Sequence, residues 1–140
     1  SPGDTVGAVA VDSIGRIAAG LSTGGMCGKP SGRIGDAPIP HCGYYADNRL
    51  AGVCCTGWGE GILRMGLARR VADLARDNNA QDAAWLGIRE LDDRIHGKAG
   101  VIVIARNGSI GWAFNTPMMA LGYCDTETNG PMVKGLGLPG

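Results

Sequence analysis

Thr5 carries the side chain in this sequence best placed for covalent chemistry, because it follows Asp4 at the start of an apolar, β-branched run. A threonine hydroxyl is a weak nucleophile, but a free α-amine on the same residue, with a reference pKa of about 7.7–8.0, can accept its proton at neutral pH. Thr5 therefore becomes reactive only as a new N-terminus, after the bond from Asp4 to Thr5 is cut. Because a threonine that opens a strand is more often a simple β-former, the surrounding motifs decide between the two interpretations.

A glycine-rich loop carries Arg33 and, three residues later, Asp36. An arginine fork matches a carboxylate, and an aspartate accepts hydrogen bonds from an ammonium group. The two side chains could therefore hold the α-carboxylate and the α-amine of an aspartyl or asparaginyl group. The plainer alternative is a structural ion pair between them, which contributes little to stability when it is exposed.

Thr56 and Gly57 stand where a predicted strand runs into a predicted helix. A threonine followed by glycine at such a junction is often only a helix cap or a tight turn. Thr23 stands in another short motif, in which glycine follows at positions 24 and 25. Its neighbour Ser22 is interpreted as a structural residue.

Taken together and in order, five segments resemble those of a known family of N-terminal-nucleophile hydrolases. The family comprises the plant-type asparaginases, isoaspartyl peptidases and glycosylasparaginases, and the resemblance is to their β-subunit. It runs from Thr5 to Gly122, and several motifs in one order are far more specific than a single glycine-rich loop. The segments are residues 4–9 (DTVGAV), 22–26 (STGGM), 32–36 (GRIGD), 45–48 (YADN) and 56–60 (TGWGE).

The resemblance implies an α+β fold, the αββα sandwich of the N-terminal-nucleophile hydrolases, with this chain as its C-terminal part, the β-subunit. Residues 1–4 are then a residual segment before the autocleavage point, and residues 5–140 form the catalytic β-subunit. A missing α-subunit from the same precursor completes the single domain. Two such αβ units are expected to associate as an (αβ)2 oligomer.

The resemblance also implies a role for each candidate residue. Thr5 is the nucleophile, the precursor cuts itself between Asp4 and Thr5 without a protease, and Thr23 hydrogen-bonds the Thr5 hydroxyl and tunes it. The Thr56 hydroxyl and the Gly57 N–H form an oxyanion hole, to which a helix N-terminus adds favourable potential. No cofactor and no metal are expected. The expected substrate-binding residues are Arg33, Asp36 and Gly59.

The activity implied is hydrolysis of the side-chain amide of asparagine or of β-aspartyl (isoaspartyl) peptides, which are small-molecule substrates. Aspartylglucosaminidase, a threonine aspartase-like protease and an inactive binding homologue stay open as alternatives. Asp36 and Thr23 favour a substrate with a free α-amine, since threonine aspartases typically lack this acid and carry serine in place of this threonine. Trp58 and the pair His41-Cys42 depart from the family pattern and predict a reshaped leaving-group side of the pocket.

Hydrophobic periodicity predicts the elements that position these residues. Residues 101–104 are apolar at every position, which is typical of a strand covered on both faces. Because five strands and two helices cover only one face of a sheet, we expect another polypeptide to supply a second sheet and helix layer. The predicted elements are a hairpin of strands 5–11 and 17–21, a long loop 24–48, a strand 51–55, helices 62–74 and 81–95, strands 101–104 and 110–114, and a loosely held tail after residue 130.

Composition limits the partners and the compartment. The formal net charge is zero, so no general electrostatic attraction to nucleic acid or to an anionic membrane is expected. The longest apolar stretches are far shorter than the roughly 18 residues that suggest a membrane span. Five cysteines without regular spacing favour reduced thiols in the cytoplasm over a disulfide framework.

Two other kinds of site have weaker support in the sequence. Residues 57–61 have glycine at alternate positions, but a nucleotide-binding loop has the spacing Gly-x-Gly-x-x-Gly, and position 62 is Ile. A zinc site is the other alternative, yet no Cys-x-x-Cys pair occurs, and neighbours on a strand face opposite sides. Its candidate ligands are Cys27, His41, Cys42, Cys54 and Cys55.

Overall fold

The structure, a computed structural model, describes residues 5–137. Within that range the chain forms a mixed α/β arrangement of eight strands and three helices. The strands are β1 (Thr5–Val11), β2 (Ile17–Thr23), β3 (Tyr44–Ala46), β4 (Ala51–Gly57), β5 (Ala99–Ala105), β6 (Ile110–Phe114), β7 (Met118–Tyr123) and β8 (Met132–Gly137). The helices, which all lie between β4 and β5, are α1 (Gly59–Met65), α2 (Leu67–Leu74) and α3 (Ala80–Ile95).

The centre of the fold is a four-stranded antiparallel sheet in the order β3-β4-β5-β6. Successive side chains along each strand point to opposite faces of this sheet. On one face, Val53 and Cys55 of β4 and Val101 and Val103 of β5 are at most 1% exposed and share one apolar cluster with residues of α2 and α3. This face of the central sheet is therefore buried under the helices.

The hairpin of β1 and β2 forms a separate sheet that packs on the other face of β4. Two glycines allow the close approach, since a Cβ on Gly7 would lie 2.9 Å from Cys54 Cβ and one on Gly52 would lie 2.8 Å from Ile17 Cγ2. The Cys54 thiol also donates a hydrogen bond to the Gly20 carbonyl oxygen at 3.2 Å. The chain's own hairpin therefore covers part of the face for which another polypeptide was expected, and a second sheet and helix layer from another polypeptide stays a prediction.

The cover on this second face is incomplete. Ile102 and Ile104 of β5 point to the hairpin side and are half-buried, whereas their neighbours Val101 and Val103 are buried. The prediction that residues 101–104 are covered on both faces is thus confirmed for the helix face and only partly met on the hairpin face. The outer face of the hairpin is itself exposed, with Val6 70% accessible.

The predicted helix at residues 62–74 is instead two helices, α1 and α2, which Gly66 separates. Gly66 has a φ of 60°, in the left-handed region that glycine adopts without steric cost. The second predicted helix is confirmed as α3, whose start is capped where the Asn79 side chain accepts a hydrogen bond from the Asp82 N–H at 2.8 Å. Although α3 is 16 residues long, no helix within residues 5–137 has the length and hydrophobicity of a bilayer span.

Two expectations about irregular segments are corrected by the structure. The long loop 24–48 contains β3, which pairs with β4 and extends the central sheet. The tail after residue 130 is not simply loose, because β8 pairs with β7 over their whole lengths. Two glycines among its six residues, MVKGLG, conceal β8 in the sequence. Its hairpin contacts the central sheet where Tyr123 stacks on Trp112 with 6.1 Å between ring centroids.

Candidate functional site

Thr5 and Thr23 face each other at the open end of the β1–β2 hairpin. The Thr5 hydroxyl donates a hydrogen bond to the Thr23 hydroxyl oxygen across 3.1 Å, and the Gly25 N–H donates to the same oxygen at 3.0 Å. These contacts orient the Thr5 hydroxyl and hold Thr23 at the start of the following loop. The pair predicted from two motifs 18 residues apart is therefore in direct contact. Asp4, the other predicted autocleavage residue, lies outside the described residues.

The direction of β1 relative to β4 decides where this pair lies. Near the open end of the hairpin Gly7 lies against Cys54, whereas at its closed end Ile17 lies against Gly52. The two strands therefore run in opposite directions, so the amino end of β1, where Thr5 lies, is on the same side as the carboxyl end of β4. The nucleophile candidate thus lies at the end of β4 that leads into α1.

Gly57 ends β4 in a conformation that requires glycine. Its φ is 133°, and a Cβ at this position would overlap the Lys98 carbonyl oxygen. The same oxygen accepts a hydrogen bond from the Trp58 N–H at 2.7 Å, while half-buried Thr56 pairs with Gly100 on β5. The junction of Thr56 and Gly57 is therefore a tight backbone turn that the beginning of β5 holds in place.

Arg33 is held by Glu60, which follows this turn. Arg33 Nε donates to Glu60 Oε1 at 2.9 Å and Arg33 Nη2 donates to Glu60 Oε2 at 3.0 Å, so the pair is bidentate. These hydrogen bonds raise the pKa of Arg33 and lower the pKa of Glu60. The structural alternative, in which Arg33 pairs directly with Asp36, is wrong, because Glu60 is the carboxylate that occupies the arginine fork.

Asp36 lies close to Arg33 without forming that ion pair. The residue is 8% exposed, and burial raises the pKa of its carboxyl group. A Cβ on Gly59 would lie 2.9 Å from Arg33 Nη2 and 3.0 Å from Asp36 Oδ1. A guanidinium and a carboxylate therefore converge on one glycine, and any larger residue at position 59 would fill the space between them.

Site prediction from the sequence missed Glu60. Glu60 is the last residue of the motif that contains Thr56 and Gly57, and its charge is opposite to that of Arg33. The sequence therefore showed that it could pair with an arginine. Its partner is 27 residues away in the sequence, however, and nothing in the spacing pairs the two. Glu60 therefore fixes the position of the Arg33 guanidinium.

The remaining candidates are reported for the described residues only. All five cysteines are free thiols, and burial raises the pKa of Cys42, Cys54 and Cys55. Within residues 5–137 no three His, Cys, Asp or Glu side chains are grouped closely enough to hold a metal ion, so the zinc alternative lacks a ligand set there. Cys54 faces the hairpin and Cys55 faces the helices, as predicted for neighbours on a strand.

The family model described as asparaginase matches residues 1–133 of the chain. This chain belongs to the asparaginase family. The predicted resemblance is confirmed, and two of its segments, residues 32–36 and 56–60, contact each other at the carboxyl end of β4.

Curated relatives agree with this assignment. A probable isoaspartyl peptidase/L-asparaginase of Drosophila pseudoobscura pseudoobscura is 48% identical over 90% of this chain and 39% of its own length. The isoaspartyl peptidase/L-asparaginase of Homo sapiens is 41% identical over 74% of this chain and 34% of its own length. The isoaspartyl peptidase of Escherichia coli (strain K12) is 40% identical over 90% of this chain and 41% of its own length. The chain thus spans about two fifths of the length of the relatives it matches.

Proposed function

We propose that this chain carries the catalytic residues of a threonine-dependent amidohydrolase. It would cleave the side-chain amide of asparagine or of β-aspartyl peptides, the activities that the names of its relatives describe. The observation that carries the proposal is the 3.1 Å contact between the Thr5 and Thr23 hydroxyls, at the end of β4 where Thr56 and Gly57 form their turn.

In the reaction, the free α-amine of Thr5 accepts the proton of the Thr5 hydroxyl, and its Oγ1 attacks the carbonyl carbon of the side-chain amide. The Thr56 hydroxyl and the Gly57 N–H donate hydrogen bonds to the oxyanion that forms. The protonated amine then gives its proton to the leaving nitrogen, and the C–N bond breaks. The product is an aspartyl ester of Thr5, which water hydrolyses to aspartate and the free enzyme.

The substrate would be oriented at its other end. Arg33 binds the α-carboxylate while Glu60 holds the guanidinium, and Asp36 accepts hydrogen bonds from the α-ammonium group. Gly59 leaves room for the α-carbon between these two charged groups. Because both charges of the zwitterion are held, the side-chain amide has one orientation available at Thr5.

Maturation would use the same hydroxyl. Thr5 Oγ1 attacks the carbonyl carbon of Asp4, the acyl group moves from nitrogen to oxygen, and water hydrolyses the resulting ester. The products are a chain that ends at Asp4 and a chain that begins with the free amine of Thr5. One residue therefore performs both processing and turnover.

We also propose that the chain is the β-subunit of an αββα sandwich. Three layers are already represented, in the order helices, central sheet and β1–β2 hairpin, and the outer face of the hairpin exposes Val6 with the small side chains of Ala8 and Ala10. An α-subunit from the same precursor would cover this apolar face, and two αβ units would associate as (αβ)2. Five free thiols fit a reducing compartment, so we propose a cytoplasmic location.

The test uses the full-length precursor that contains this sequence. Mass spectrometry of the purified protein reports the new N-terminus, and ammonia or amino-acid release is measured with asparagine, β-aspartyl-leucine and aspartylglucosamine. We expect cleavage before Thr5 and turnover of the first two substrates. Preferred turnover of aspartylglucosamine would favour the glycosylasparaginase alternative, and an intact bond from Asp4 to Thr5 without turnover would favour an inactive homologue.

A further inference from the structure

One exposed loop joins the two groups of residues that the proposed reaction uses. Thr23 ends β2 and contacts Thr5, whereas Arg33, further along the chain, converges with Asp36 on Gly59. In the proposed reaction the first group supplies the nucleophile and the second holds the far end of the substrate. The separation of the two groups must therefore match the length of the substrate, and the loop of residues 24–32 connects them along the chain.

Lys29 lies within this loop, and its side chain contacts both ends of it. Lys29 Nζ donates a hydrogen bond to the Arg33 carbonyl oxygen at 3.0 Å. A Cβ on Gly25 would lie 3.0 Å from Lys29 Cε and 3.2 Å from Lys29 Nζ, so the stem of the lysine lies against the Gly25 backbone. The side chain therefore spans the loop from Gly25 to Arg33.

Gly25 connects Lys29 to the threonine pair. Its N–H donates to the Thr23 hydroxyl oxygen at 3.0 Å, and the same oxygen accepts from the Thr5 hydroxyl at 3.1 Å. Gly25 has a φ of 82°, so a side chain there would strain the backbone as well as displace the lysine. A continuous series of contacts thus runs from Thr5 through Thr23, Gly25 and Lys29 to Arg33.

The backbone of the loop forms local turns. The Lys29 N–H donates to the Met26 carbonyl oxygen at 3.2 Å, and the Arg33 N–H donates to the Pro30 carbonyl oxygen at 3.1 Å. Neither hydrogen bond joins Gly25 to Arg33. Because most of residues 24–32 are exposed, the loop has little apolar packing to fix its shape, and a side chain that joins its two ends limits its movement.

We propose that Lys29 is a positioning residue, which fixes the loop so that Arg33 stays at a constant distance from the pair of Thr5 and Thr23. The inference rests on the proposed function and adds the residue that couples the nucleophile to the carboxylate site. Lys29 acts through the backbone of Arg33 and does not touch the substrate. Since a misplacement of about 1 Å can lower a rate about 10²-fold, loss of this contact is expected to lower kcat/KM about tenfold.

The test uses the processed full-length enzyme with asparagine and β-aspartyl-leucine as substrates. In Lys29→Met, which keeps the stem but removes the ammonium donor, kcat/KM should fall about tenfold for both substrates, and Lys29→Arg should recover most of the loss. Cleavage before Thr5 should proceed at its usual rate, because the attack on Asp4 does not use the carboxylate site. Lys134→Met, which removes a lysine that lies over Trp112, is the matched control and should leave kcat/KM unchanged.

A double-mutant cycle separates this positioning role from a general structural one. If Lys29 acts through Arg33, its contribution should largely disappear once Arg33 no longer forms the bidentate contacts. Adding Lys29→Met to Arg33→Lys should therefore lower kcat/KM by no more than about twofold further.

Unchanged kcat/KM in Lys29→Met would overturn the inference, and so would an equal fall in both backgrounds. A Lys29→Met precursor that fails to fold or to cut itself would also overturn it, since the lysine would then serve the fold or the threonine pair. Absence of turnover with both substrates in the unsubstituted enzyme would instead reject the proposed function itself, and the assignment of Lys29 with it.

Discussion

Two regions of this molecule combine an exposed tryptophan with charged neighbours, and they differ in which side chains lie close together. At the carboxyl end of β4, Trp58 stands beside glycines whose backbone conformations bring other groups close. On α3, Trp85 is 53% exposed at the edge of a cavity of about 420 Å³. The other residues lining that cavity are Leu86, Ile88, Arg89, Asp92, Asp93 and Asn115.

The region on α3 is a large cavity, whereas at the end of β4 charged side chains come close to one another. No predicted site residue lines the cavity on α3, and its charged side chains are those of an ordinary solvated helix face. At the end of β4, by contrast, Arg33 and Asp36 converge on Gly59, and Asp36 is buried there although burial disfavours its charge. Groups whose pKa is shifted by burial are concentrated at functional sites, whereas a cavity by itself does not indicate one.

The largest effect is expected from Thr5→Ala. Without the hydroxyl, neither the attack on Asp4 nor the attack on substrate can occur, so processing should stop and turnover should fall by about 10³-fold or more. Gel electrophoresis of the precursor and an ammonia assay measure the two effects. Thr126→Ala, at an exposed threonine of the segment between β7 and β8, is the control. Turnover that survives Thr5→Ala would show that the end of β4 does not supply the nucleophile.

Thr56→Val should have the next largest effect. Valine keeps the shape and the strand pairing with Gly100 but removes the proposed oxyanion donor. Loss of one such donor typically lowers kcat by roughly 10²–10³-fold. Steady-state kinetics should show the loss in kcat with little change in KM, and a change confined to KM would place Thr56 outside the oxyanion hole.

Arg33→Lys should weaken substrate binding. Lysine keeps the positive charge but cannot form the bidentate contacts, either with Glu60 or with a carboxylate of the substrate. We expect kcat/KM to fall about ten- to a hundredfold, which corresponds to roughly 1.4–2.7 kcal/mol. Arg89→Lys in the α3 cavity is the matched control, and equal kinetics of the two variants would argue against a carboxylate site at Arg33.

Asp36→Asn should raise the stability of the protein and lower its activity. Burial raises the folded-state pKa of Asp36 above its ordinary value of 3.8, so the folded protein pays a desolvation penalty once this group ionises. The penalty is absent below pH 3.8, grows as pH rises through the raised pKa, and is complete above it. The variant should therefore show a Tm a few degrees higher than the unsubstituted protein at pH 7, a gap that closes in acid.

The same substitution should abolish most activity, because we propose that the carboxylate holds the substrate ammonium group. In the unsubstituted enzyme, kcat/KM should fall with decreasing pH as Asp36 becomes protonated, at a pH above 3.8. Thermal denaturation scans and a pH–rate profile check the two halves of this prediction. A variant that is less stable at every pH would show that the ionised carboxylate serves the fold itself.

The smallest effect is expected from Trp85→Ala. The ring is largely exposed, and surface substitutions of this kind usually change stability by no more than about 0.5 kcal/mol. Turnover of every substrate should stay within about twofold of the unsubstituted value. A specific loss of activity would indicate that the cavity on α3 also contributes to turnover.

The sequence by itself determined the local elements and the residue types of the site. The apolar, β-branched run that begins at Thr5 predicted the first strand of the hairpin, and helical periodicity predicted α3. The threonines, the arginine, the aspartate and the glycines were identified as candidates because their chemistry and order are carried by short, continuous motifs. Such features depend on neighbours within a few residues, and these are visible along the chain.

Only the tertiary structure decided which groups meet. The pairing of Arg33 with Glu60, the contact between Thr5 and Thr23, and the packing of the hairpin on β4 each join residues far apart in sequence. Hydrophobic periodicity shows that a strand face is buried but does not say against what, so the hairpin was not predicted to cover β4. The contacts that build the site follow from how close two backbones can approach, and that depends on the whole packed fold.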